Sequence, residues 1–87
     1  MNVNFSDSFL DRYYTLDSRV KRSFEKKIIL FIHNPYHSSL RNHQLSGKMN
    51  RYHSISIAGD WCAFYKTVGY QKVIFEAVGK KKDFMKK

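Results

Sequence analysis

Cysteine occurs once in the 87 residues, at Cys62, which leaves no partner for an internal disulfide and no Cys/Cys or His/Cys pair at zinc-ligand spacing. A reducing cytoplasm is the expected setting. Long hydrophobic runs are missing as well. The longest, Ile28-Ile29-Leu30-Phe31-Ile32, falls far below the roughly 20 apolar residues of a membrane helix, and Met1-Asn2-Val3-Asn4-Phe5 has neither the cationic start nor the apolar stretch of a signal peptide. The chain is expected to be soluble and unprocessed, with no membrane partner. Proline at one position and glycine at four also speak against a disordered basic tail. Acid is the scarcer charge: 7 Asp+Glu stand against 16 Lys+Arg, a net +9, and no acid lies between Glu25 and Asp60. That interval holds Lys26, Lys27, Arg41, Lys48 and Arg51 with all four histidines, His33, His37, His43 and His53. A second cluster, Lys80, Lys81, Lys82, Lys86 and Lys87, surrounds only Asp83. Such a charge distribution suits a polyanion, either nucleic acid or an acidic protein segment, because positive potential speeds encounter and each phosphate contact releases counterions. The competing explanation is a solvated, solubilising surface.

What remains is apolar enough to fold. Hydrophobic residues at 43% and aromatics at 16% exceed what a disordered basic tail carries. A chain this short buries only about 60% of its unfolded surface, so residues 1–87 are expected to form one domain around one core, without a deep substrate cavity or a large-cofactor enzyme architecture. Val3 and Phe5 alternate with Asn2 and Asn4, which predicts a short opening strand. Ser6 or Ser8 then caps a helix from about Asp7 to Leu16. Asp17-Ser18 starts a second helix in which Val20, Phe24, Ile28 and Phe31 recur at helical steps, and Pro35 ends it near His33-Asn34. Residues 35–50 read as a loop with Gly47 as a turn signal, anchored by Leu40 and Leu45. The period then switches to two over Tyr52–Ile57, followed by aromatic-rich Trp61–Thr67 and by Lys72–Val78, separated by hairpin-type turns. The order β-α-α-β-β-β predicts an α+β fold in which a helical hairpin with a basic outer face packs on one face of a small antiparallel sheet and leaves the other face free.

That order, together with the block Asn34-Pro35-Tyr36-His37-Ser38-Ser39-Leu40-Arg41-Asn42-His43-Gln44-Leu45-Ser46-Gly47, the strand Tyr52-His53-Ser54-Ile55-Ser56-Ile57, the pair Asp60-Trp61 with Tyr65-Lys66, and the ending Val78-Gly79-Lys80-Lys81, resembles the RelE/ParE superfamily of bacterial toxins. The likeness runs from about Phe5 to Phe84, and the "NP…SLR.H.LSG" block is closer to the YafQ and RelE-like branches than to the gyrase-directed ParE branch. The resemblance implies a ribosome-dependent mRNA endonuclease, the toxin of a type II toxin-antitoxin pair, acting in the ribosomal A site and silenced by a cognate antitoxin. It implies no metal or cofactor, since RNA carries its own nucleophile, the 2′-OH, and the protein has only to align it, move protons and stabilise charge.

By the same resemblance His43 serves in acid–base or phosphate contact, which suits a side chain that exchanges a proton near neutral pH; the competing reading is a loop histidine bonded to backbone. Asp60 orients or deprotonates a histidine or ribose hydroxyl, or is an ordinary turn residue after Gly59. Trp61 stacks on a base, or opens a strand as a core aromatic. Two positions depart from the YafQ pattern and a third from the family's. Ser56 stands where a strand histidine is expected, Lys81 where a histidine follows the last strand, and Cys62 where an arginine follows the Asp-aromatic pair. Against the RelE ending, Lys81 is a charge stabiliser rather than an acid, and His53 falls where a lysine follows the strand tyrosine, which makes it a catalytic candidate unless strand alternation turns it away. Cys62 is expected to pack, buried or half-buried. Arg41, Lys48, Arg51, Lys80 and Lys82 are the expected RNA and ribosomal RNA contacts, and Phe84, one residue out of register, is the weak counterpart of a base-stacking C-terminal aromatic. His33 and His37 are left as helix-end and loop residues. The other function considered is a non-catalytic binder on the toxin fold, a gyrase inhibitor or an inactive RNA- or antitoxin-binding variant.

Overall fold

The computed structural model describes residues 1–84, the side chain of Phe84 excepted. Strand β1 (Asn2–Phe5) turns Val3 and Phe5 toward the core. Helix α1 (Asp7–Tyr13) starts where the Ser6 hydroxyl accepts the Phe9 amide at 3.1 Å, with Asp7 in the positive first turn. It stops three residues short of the expected Leu16. Thr15 donates its hydroxyl to the Arg12 carbonyl at 2.7 Å, and the Thr15 and Leu16 amides close tight turns onto Arg12 and Tyr13, so side-chain and backbone bonds compete with helix propagation. Leu16 is buried nonetheless.

Helix α2 (Ser18–His33) is capped by the Asp17 carboxylate, which accepts the Arg19 amide at 2.7 Å. Val20, Phe24 and Phe31 are buried along one stripe. The helix ends as Pro35 requires, with Asn34 extended at φ −151°. The stretch expected to be loop contains two single-turn 3-10 segments, Ser38–Leu40 and Gly47–Met49, and between them a two-residue strand β2 (His43–Gln44). Leu40 anchors it as expected, with no exposed surface.

Strands β3 (His53–Ala58), β4 (Trp61–Gly69) and β5 (Lys72–Lys80) and helix α3 (Lys81–Phe84) complete the order. The sheet runs β1-β5-β4-β3-β2. The α+β architecture and the order of elements match the expectation, and the sheet is mixed rather than wholly antiparallel. The α1–α2 pair crosses over the sheet and returns the chain such that β1 lies parallel to β5, Val3 opposite Val73 and Phe5 opposite Phe75, while the other pairings are antiparallel.

The core lies between the helices and one sheet face. Phe75, fully buried, touches the rings of Phe5, Phe9, Phe24, Phe31 and Tyr65 at centroid distances from 5.2 to 6.1 Å. Ile55 and Ala63, paired across β3 and β4, belong to the same core. Strand alternation sends the intervening pairs, Ser54 with Phe64 and Ser56 with Cys62, to the opposite face. Among the described residues no helix is long and apolar enough to cross a membrane.

Candidate functional site

The sheet face opposite α1 and α2 carries an open cavity of about 860 Å³. Three chain ends converge on it. The first is β2. Arg41, in the left-handed region at φ 50° and ψ 41°, reverses the chain after the 3-10 turn, and His43 pairs with Ser54 of β3. The second is the β3–β4 turn, where a bulge near Ser56 and Ala58 and a left-handed Gly59 at φ 51° bring Asp60 and Trp61 to the rim. The third is the β5–α3 junction, where the Lys81 amide donates to the Asp60 carbonyl at 2.7 Å. This bond ties Lys81 to Asp60, residues 21 positions apart in the chain. Arg41, His43, Lys48, Asp60 and Lys81 therefore line one cavity with Trp61, and among the described residues Asp60 is the only acid in that lining.

His43 is exposed, and its Nδ1 lies 2.8 Å from the Arg41 carbonyl oxygen. A carbonyl only accepts, so Nδ1 carries the hydrogen and the lone pair of the neutral ring sits on Nε2. That tautomer is the one a general base needs. The Lys80 ammonium lies 5.8 Å from the Trp61 ring centre, a cation–π contact at the cavity edge.

The floor is less polar than the rim. Ser54, Ser56, Cys62 and Phe64 form it, and Leu45 and Met49 close one side. Cys62 is buried, which pushes its thiol pKa up, while a hydrogen bond from Ser54 and the Lys81 ammonium offset part of that rise. The expectation that Cys62 packs holds. Iodoacetamide at neutral pH is expected to label Cys62 slowly in the native protein and quickly in denaturant; equal rates would contradict this environment.

The structure separates several residues from the group expected of them. His53 is out of step with Ser54 and Ser56, so it lies on the helix-covered face, stacked 5.3 Å from Tyr65 at 18°, with Nδ1 buried and unpartnered among the described residues. It does not join His43, Asp60 and Lys81. Arg51 precedes β3 outside the cavity, and Lys80 and Lys82 flank it without lining it. The expectation for Phe84 concerns a side chain outside the described residues, as do those for residues 85–87. Sequence reasoning passed over Ser54, Phe64, Leu45 and Met49 as site residues. The signal available was the Ser54/Ser56 alternation, two small polar residues facing away from Ile55 and Ile57. Among the described residues no group of three or more His, Cys, Asp or Glu could hold a metal ion.

No protein-family model matches this sequence, and no curated protein matches it significantly. Solved structures do match. YafQ from E. coli strain BL21(DE3) superposes with a TM-score of 0.79 at 20% identity, over 98% of this chain and 98% of that one. A YoeB/ParE toxin from Agrobacterium tumefaciens gives 0.76 at 19%, over 92% and 98%. The isolated RelE toxin of E. coli gives 0.71 at 22%, over 91% and 82%. Chains from the E. coli DinJ-YafQ and RelBE toxin-antitoxin complexes match as well. Nearly the whole chain thus superposes on each of these toxins, and its fold is that of the RelE/ParE superfamily.

Proposed function

We propose that this protein is the toxin of a type II toxin-antitoxin pair and cleaves mRNA in the ribosomal A site. The observation that carries the reading is the convergence of His43, Asp60 and Lys81 with Arg41 and Lys48 on one open cavity of the sheet face opposite α1 and α2. Each group has a role that its chemistry suits. Nε2 of His43 takes the proton of the ribose 2′-OH, and Asp60 orients that hydroxyl. The 2′-oxygen attacks the adjacent phosphorus, the bond to the 5′-oxygen breaks, and that oxygen is protonated from solvent, leaving a 2′,3′-cyclic phosphate and a 5′-hydroxyl. Lys81 and Arg41 stabilise the charge that builds on the phosphoryl oxygens. The nucleophile belongs to the RNA, so this route calls for no metal. Primer extension on mRNA translated with purified protein tests it. New ends at A-site codons, lost in Asp60→Ala and Lys81→Ala, support the reading, and unchanged mRNA sinks it.

The partners follow from charge. A surface with +9 and an acid-free central stretch favours ribosome-bound mRNA and ribosomal RNA as targets, and an acidic cognate antitoxin as the covering protein in the cytoplasm. Toxin-antitoxin complexes among the superposing structures support the antitoxin partner. Ribosome affinity is expected to fall by orders of magnitude between 50 and 200 mM salt if about six or more phosphates are contacted; a flat dependence contradicts the charge argument.

A second reading is favoured by the floor. Ser56 and Cys62 put neutral groups where proton-shuttling or cationic side chains were expected, which suits a non-catalytic binder, either of gyrase or of RNA or antitoxin. Growth arrest with intact mRNA and altered plasmid supercoiling would favour gyrase.

A further inference from the structure

The geometry points to Asn42 as the positioning residue of the proposed cleaving segment: its amide, directed away from the cavity, fixes the backbone from which Arg41 and His43 face the RNA. The inference rests on the reading in which His43 acts on RNA. Asn42 lies between two cavity-lining residues and lines no part of the cavity itself. Its Nδ2 donates to the Pro35 carbonyl at 2.8 Å and to the Tyr65 hydroxyl oxygen at 2.7 Å. The first contact decides the amide's orientation, because a carbonyl cannot donate and only the nitrogen end fits against it. Both acceptors are held independently. Pro35 closes α2, and Tyr65, buried in β4, packs 4.9 Å from Phe31 and 5.2 Å from Phe75. One side chain thus clamps the segment to the helix end and to the aromatic core.

The clamp acts where the backbone most needs support. Arg41 holds φ 50°, a conformation that L side chains seldom adopt, flanked by fully buried Leu40 on one side and by Asn42 on the other. Release of Asn42 lets Arg41 return to an ordinary conformation. That rotation moves the Arg41 carbonyl, and with it the hydrogen-bond acceptor that sets the His43 tautomer. Asn42 therefore acts through Arg41 on the lone pair at His43 Nε2 and touches no reacting atom.

The test has two arms. The first reads the ring nitrogen chemical shifts of His43 in the free protein, without RNA. Wild-type protein is expected to show hydrogen on Nδ1, Asn42→Ala a shift toward the Nε2–H form usual in water, and Tyr65→Phe, which keeps the buried ring and removes one acceptor, an intermediate result. The second measures cleavage on programmed ribosomes at a temperature where all three proteins are folded by circular dichroism. There Asn42→Ala is expected to lower kcat about tenfold or more while KM stays within about twofold. Wild-type shifts together with a wild-type rate in Asn42→Ala would overturn the positioning role, as would a fall in thermal stability with both readouts unmoved. If wild-type protein leaves mRNA intact, the functional reading fails, and the nitrogen shifts alone decide whether Asn42 orients His43.

Discussion

His43→Ala is expected to lower single-turnover mRNA cleavage on the ribosome by about 100-fold or more, the usual contribution of a positioned general base. The loss should appear without loss of fold. His43 is exposed in a two-residue edge strand and contributes nothing to the aromatic core, so the thermal midpoint should stay close to wild type. His53→Ala makes the matching control with the opposite signature. That residue stacks on Tyr65 on the helix-covered face, so its removal should lower stability while the folded protein still cleaves. If His53→Ala abolished cleavage in folded protein and His43→Ala did not, the assignment of faces would be wrong.

Phe75→Ala is the substitution expected to damage the fold most. The ring has no exposed surface and contacts aromatic neighbours from β1, α1, α2 and β4. Truncating such a side chain removes its transfer free energy and leaves a cavity, together about 3–5 kcal/mol. A chain of this length has a total stability of about 4–13 kcal/mol, so the variant should be marginal or unfolded at 37 °C. Urea titration checks this: a midpoint well below wild type is expected, with Phe75→Leu, which keeps most of the volume, falling by less than about 1.5 kcal/mol. A loss below about 1 kcal/mol for Phe75→Ala would mean that the aromatic cluster is not the centre of the core.

Much of this core was legible in the sequence. Val20, Phe24, Ile28 and Phe31 declare a helix by spacing, Pro35 declares its end, and Ile55 and Ile57 alternating with Ser54 and Ser56 declare a half-buried strand. The parallel pairing of β1 with β5 was not legible, because it joins residues about 70 positions apart and leaves no local periodic mark. Strand β2 was not legible either, since two residues are too few to show a period. At the site, charge and resemblance pointed to His43, Asp60, Lys81, Arg41, Lys48 and Trp61, which share one cavity. His53 was drawn in by the resemblance, as it falls where a lysine follows the strand tyrosine, although its parity with Ile55 and Ile57 turns it to the helix-covered face. The apolar lining from Leu45, Met49 and Phe64 was hidden because an apolar side chain carries no mark of chemistry: Leu45 reads as a loop anchor and Phe64 as part of an aromatic-rich strand.

In the proposed mechanism this cavity turns the RNA's own 2′-hydroxyl on the neighbouring phosphate. The most direct measurement uses ribosomes programmed with two mRNAs that differ only in a single 2′-deoxy substitution on the nucleotide 5′ to the cleaved bond. Cleavage of the all-ribose mRNA to a 2′,3′-cyclic phosphate, with none at the same bond of the deoxy mRNA, is the predicted result. Equal cleavage of both, or of neither, would contradict it.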